Sequence, residues 1–112
     1  MVLGIATASA HTVLIASNPT KGAAIKVLPT KITLKFADPL LTLGKRAINV
    51  VVVSDSKVRV ITTGKNLVKG AILTDPLSVA NPIAGIYKVS YRVSAQDGHI
   101  VTGSYTFTLL TK

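Results

Sequence analysis

Gly85-Ile86-Tyr87-Lys88-Val89-Ser90-Tyr91-Arg92-Val93 alternates without a break. In an extended chain Tyr87, Val89, Tyr91 and Val93 share one face, and Ile86, Lys88, Ser90 and Arg92 share the other. A period of two, with valine and tyrosine at the apolar positions, predicts a strand buried on one side. Farther on, Ser104 to Leu110 repeats the pattern, with Tyr105, Phe107 and Leu109 inward and Ser104, Thr106 and Thr108 outward. Between the two runs lies Asp97-Gly98-His99, and Asp-Gly is a common turn dipeptide.

Upstream the signals are similar. Lys31 to Phe36 places Ile32, Leu34 and Phe36 on one face and Lys31, Thr33 and Lys35 on the other, and Asp38-Pro39 ends it. Ile48 to Val53 is an apolar run, broken only by Asn49 and rich in valine, which reads as a strand buried on both faces or at a sheet centre. Ser54 to Lys57 reads as a turn and Val58 to Thr62 as a second strand, so this pair is expected to form a hairpin. Leu67 to Leu73 is read as another strand, and Asp75-Pro76 and Asn81-Pro82 are read as bracketing a loop. Thr12 to Ser17 reads as the first strand of the domain, followed by the turn Asn18-Pro19-Thr20-Lys21-Gly22. No segment has a 3.6-residue period, and there is no repeat or linker. About seven short strands predict an all-β chain, an Ig-like or Greek-key β-sandwich or small barrel. Tyr87, just inside its strand, is similar to the tyrosine of the Ig-like corner; plain core packing is the alternative.

A chain of 112 residues fits one domain with a single modest core, and 48% apolar residues excludes disorder. Cysteine is absent, which excludes a disulfide framework and a thiolate metal site. Thirteen Lys and Arg against four Asp and no Glu leave a net charge of +9, which favours anionic partners. The cations are scattered and only Lys45-Arg46 are adjacent. No aromatic residues are interleaved and no recognition motif accompanies them, so nucleic acid is not an expected partner. A solvated basic surface accounts for the charge, with any membrane contact peripheral.

Met1 to Ala10 is apolar and small and ends Ala8-Ser9-Ala10, the A-x-A form that precedes a signal-peptidase cut. Residues 1–10 are therefore expected to be a signal-peptide remnant and residues 11–112 the domain. The run is short and no Lys or Arg precedes it, so an ordinary first strand is the alternative. Ten residues cannot span a bilayer.

A cut after Ala10 makes His11 the first residue, and His11 and His99 are the two histidines of the chain. An N-terminal histidine offers its α-amine and an imidazole nitrogen. His99 adds a third nitrogen and Asp97, two positions away across a glycine, an oxygen. Three nitrogens and an oxygen suit a tetragonal Cu(II) ion; nickel and zinc fit less well. Taken singly, Asp97 reads as a turn residue and each histidine as structural.

Several further pieces stand in order. Ala10-His11 precedes Ser17-Asn18-Pro19 and Gly22, and Lys31 to Asp38 ends in Phe and an acidic residue. Gly85-Ile86-Tyr87-Lys88-Val89-Ser90-Tyr91-Arg92-Val93 leads to Asp97-Gly98-His99, and Thr102-Gly103-Ser104-Tyr105-Thr106-Phe107 closes the set. From Ala10 onward this resembles the CopC family of exported copper-binding proteins. The resemblance implies a periplasmic or otherwise exported β-sandwich, not an enzyme, that binds Cu(II) through His11 (amine and imidazole), Asp97 and His99. It also implies that Asp38 hydrogen-bonds the site or approaches the metal. A monomer that carries or sequesters copper, with a CopD-like membrane transporter as partner, is what the family leads one to expect.

Some features depart from the family pattern. The single Met, at position 1, provides no Met-rich loop for Cu(I), Tyr91 stands where the family has Trp, and the CopD-like membrane part fused in many relatives is expected to be either a separate partner or trimmed away. Two other functions compete. A copper oxidase with a histidine brace, acting on a polymer, needs open coordination positions, one of which Asp97 would fill. A metal-free Ig-like interaction module would bind anionic surfaces in a salt-dependent way.

Overall fold

Alternation carries through to eight strands in a computed structural model of the chain, which describes residues 12–111. They are β1 (Leu14–Asn18), β2 (Ala24–Ile25), β3 (Lys31–Phe36), β4 (Val50–Ser54), β5 (Leu67–Lys69), β6 (Ile72–Pro76), β7 (Gly85–Ser94) and β8 (Ile100–Leu109). One sheet has the order β1-β3-β6-β5 and the other β2-β8-β7-β4. All pairs are antiparallel except β2 with β8. This is the all-β sandwich that the sequence predicts. Residues 1–10, expected to be a signal-peptide remnant, and His11 lie outside the described residues.

The inward faces are those that the periodicity selects. Ile32, Leu34 and Phe36 of β3, Tyr87, Val89 and Val93 of β7 and Phe107 of β8 are all at most 1% exposed. Each such side chain contributes about 1.5–3 kcal/mol by leaving water. Tyr87 stacks on Phe107 with ring centroids 5.2 Å apart, and Tyr91 meets Phe36 edge-on at 5.4 Å. Tyr91 is only half-buried, and its ring lies over Gly103 on the paired strand, where a Cβ would collide with the phenol. The Tyr87 hydroxyl donates to the Ile83 carbonyl at 2.6 Å. Tyr87 is thus both a core residue and a corner tyrosine, with its one polar atom satisfied.

The structure corrects the reading of the valine run and of the chain up to β7: β4 is an edge strand with alternating burial, neither at a sheet centre nor buried on both faces. Residues 58–62 do not form a regular strand, but the expected hairpin is present in outline: Asp55 N donates to Arg59 O at 2.9 Å and Val60 bridges Ser54, while the ladder partner of β4 is β7 from Val50↔Arg92 to Ser54↔Lys88. The Asp55 carboxylate draws the chain into a tight turn by accepting from Lys57 N and Arg59 N, both at 2.9 Å, and from Arg59 Nε at 2.7 Å. Within that turn Val58 has φ 64°, which no strand accommodates. Only isolated bridges, Ser54↔Val60 and Thr62↔Leu77, remain.

The segment that follows ties the two sheets together. Ile61 N donates to Val53 O at 2.8 Å, and Asn66 Oδ1 accepts from Val51 N at 3.0 Å, which covers the outer edge of β4. On the other side Ser78 N donates to Ile61 O at 2.8 Å. Asp75, fully buried at the end of β6, accepts through Oδ1 from Thr63 N at 2.8 Å, Thr63 Oγ1 at 3.0 Å and Gly64 N at 3.2 Å. Residues 67–73, expected to be one strand, are a hairpin from β5 into β6. Asp75-Pro76 belongs to β6 rather than to a loop. The two-residue β2 had no periodic signal.

Candidate metal centre

The long β7–β8 ladder ends at Ser94↔Ile100, and Ala95 to His99 turn the corner. Gly98 N donates to Ala95 O and Ala95 N to His99 O, both at 2.9 Å. The turn needs a left-handed residue, and Gly98 supplies it with φ 90°. Asp97 then grips its neighbour twice. Its Oδ1 accepts from His99 N at 3.0 Å, and its Oδ2 lies 2.7 Å from His99 Nδ1. One carboxylate therefore sets both the backbone and the ring of His99. The His99 side chain is 63% exposed and that of Asp97 35%, so both are accessible to an ion from solvent.

The base of this hairpin is clasped by residues that sequence reasoning passed over. Asn49 is buried, and both ends of its amide are used. Nδ2 donates to Leu41 O at 2.7 Å, and Oδ1 accepts from Ser94 N at 2.9 Å. Leu41 N returns a bond to Ser94 O at 3.0 Å, and Gln96 Nε2 donates to Leu40 O at 3.1 Å. The chain leaving β3 is thus held against the hairpin. Its preceding residues hold the start of the domain: Ala37 N donates to Val13 O at 2.8 Å, and Asp38 N donates to the hydroxyl of buried Thr12 at 3.1 Å. Segments 12–13, 37–41 and 94–99 therefore meet at one end of the sandwich. The one local hint was a polar Asn49 at the mouth of a valine run.

The predicted site residues fall as follows. Asp97 and His99 are brought together. Asp38 is exposed and joined to this end through its backbone. His11 lies outside the described residues, but the residue after it, Thr12, is anchored here. Among the described residues no group of three or more His, Cys, Asp or Glu could hold a metal.

The family model for the CopC domain matches residues 14–110. The chain belongs to the CopC family. Copper resistance protein C of Pseudomonas syringae pv. tomato is 34% identical over 109 residues, covering 91% of this chain and 82% of that protein. Among solved structures, CopC from Methylosinus trichosporium OB3b superposes with a TM-score of 0.72 at 27% identity, covering 88% of this chain and 93% of that one. PcoC from Escherichia coli, a methionine-rich copper resistance protein, gives 0.70 at 25% identity, covering 90% and 100%. CopC proteins are copper-binding resistance proteins, not enzymes. Unlike the methionine-rich PcoC, this CopC chain has a single Met, at position 1.

Proposed function

We propose that this protein binds Cu(II) outside the cytoplasm through His11, Asp97 and His99, with His11 as the first residue after a cut at Ala10. It carries or sequesters the ion for copper resistance, as a monomer of residues 11–112, and exchanges it with a separate CopD-like membrane transporter. Asp38 lies beside the site as a hydrogen-bonding neighbour. Copper is cargo here, so no turnover is required.

The carrying observation is the Asp97–His99 pair, whose Oδ2 and Nδ1 stand 2.7 Å apart. The pair holds an imidazole and a carboxylate side by side at one exposed hairpin tip, so both can serve one ion once the hydrogen bond between them is exchanged for bonds to the metal. The anchoring of Thr12 at the same end supports His11 as the third residue. The donor chemistry supports the oxidation state. With no Cys and no Met after position 1, the available donors are nitrogen and oxygen, which suit Cu(II) rather than Cu(I).

Cu(II) titration followed by EPR, on a chain beginning at His11 and on one retaining Met1, tests this. A one-to-one tetragonal signal with nitrogen couplings is expected for the chain beginning at His11, with much weaker binding for the other. Equal binding by both would refute the amine chelate.

A further inference from the structure

The surface charge of this protein is unevenly placed. Of its four acidic residues, Asp55 and Asp75 are buried, and the other two, Asp38 and Asp97, are exposed at the candidate metal end. The outer face of the β1-β3-β6-β5 sheet carries no acid at all. It presents Lys31 and Lys35 from β3 and Lys69 from β5, with Lys35, Ile72 and Lys69 in one cross-strand row. None of these lysines takes part in an ion pair among the described residues. Between and beside them, apolar side chains face solvent: Leu67 is 53% exposed, Ile72 37% and Ile15 56%. The face is stiff, because Ile32, Leu34 and Leu73 on its reverse are fully buried.

We propose that this face docks the protein onto an anionic lipid surface, with Lys31, Lys35 and Lys69 on the phosphates and Ile15, Leu67 and Ile72 in the headgroup layer. Amines interspersed with aliphatic groups match a bilayer interface, where charge and apolar contact are offered together. An acidic protein segment would match the amines and leave the three aliphatic side chains without a counterpart. The outer face of the other sheet shows the contrast. It carries Lys88 and Arg92, but Thr102, Ser104, Thr106 and Thr108 line it, and Ile86 and Ile100 are its exposed aliphatics. Docking by the lysine face leaves the Asp97–His99 end at the rim of the contact, open to solvent.

The test is co-sedimentation with vesicles of 30% phosphatidylglycerol in phosphatidylcholine at low salt. Each lysine near such a surface is worth about fivefold in partitioning, so K31Q/K35Q/K69Q should lose about 100-fold. L67S/I72S should lose several-fold with the charge intact, and K26Q/K88Q/R92Q, which removes as much charge elsewhere, should lose less than about tenfold. Binding should fall away in high salt as the charges are screened. All these positions are exposed, and unchanged melting curves check that the variants fold. Equal loss in the two triple variants would reduce the effect to net charge and overturn the proposal. So would absence of vesicle binding, or binding of polyglutamate but not vesicles with the same dependence on the lysine face.

Discussion

The four aspartates divide into two pairs that do different work. Asp55 and Asp75 are buried beside the connection between β4 and β5, where backbone N–H groups are their main partners, although Asp75 Oδ2 has no hydrogen-bond partner among the described residues. Asp38 and Asp97 are exposed at the opposite kind of place, a hairpin tip and the loop packed on it. The buried pair organises chain that has no regular secondary structure. The exposed pair sits where a cation can reach it. A carboxylate sealed in the interior is out of reach of an ion from solvent, whereas one at a hairpin tip is open to it. Residue type alone does not separate these roles; enclosure does.

The comparison can be broken most sharply at Asp75. Asp75→Ala removes the acceptor of three hydrogen bonds from residues 63 and 64, leaves a cavity in the buried end of β6, and should cost about 3 kcal/mol, lowering Tm by roughly 15 °C. Asp75→Asn keeps the accepting oxygen and should cost less than about 1 kcal/mol, which would show that acceptance rather than charge matters there. Thermal melts read both, and copper binding should survive in each.

At the exposed pair the effects should reverse. His99→Ala should weaken Cu(II) binding by about 100-fold or more while leaving Tm within a few degrees, as checked by competition titration and melting. Asn49→Ala should lie between the two classes. It leaves Leu41 O and Ser94 N without their partner, which should cost about 2 kcal/mol, and it loosens the clasp beneath the site, which should weaken copper binding by about tenfold.

Asp55 gives the pH arm of the comparison. Burial alone would push its carboxyl up, but the Arg59 N–H and guanidinium and the Lys57 N–H outweigh this and hold it below the ordinary value of 3.8. A lowered folded value means that this contribution to stability is present above pH 3.8 and is lost as pH falls through the depressed value. Asp55→Asn should therefore flatten the acid limb of the stability curve below that point, as acid titration followed by circular dichroism will read. The smallest effect is expected at Asp38: Asp38→Asn should change copper affinity by less than about threefold, since its N–H bond to Thr12 is made by the backbone.

Legibility in the sequence follows the range of the interactions. The strands with unbroken alternation, β3, β7 and β8, were readable with their buried faces because the period is a local property. The Asp97–His99 pair was readable because its members are two residues apart. The misread stretches are those in which a distant or side-chain contact decides. Val58 to Thr62 has strand-forming residues, yet the Asp55 turn takes Val58, and the bonds of residues 61 and 63 to residues 76–78 limit its pairing with β4 to a single bridge. Ala24-Ile25 becomes β2 only because the end of β8 lies alongside it.

By itself, the sequence determined the strand-rich class, the faces that turn inward and a donor set without sulfur after position 1. Those follow from side-chain chemistry and from the two-residue period of an extended chain. The tertiary structure alone decided which strands are neighbours and how residues 61–66 close the edge of β4. It also decided that Thr12, Asp38, Asn49 and the β7–β8 hairpin share one end of the molecule. Those contacts join residues as far as 45 and 56 positions apart. They depend on the path of the whole chain, which no local pattern encodes.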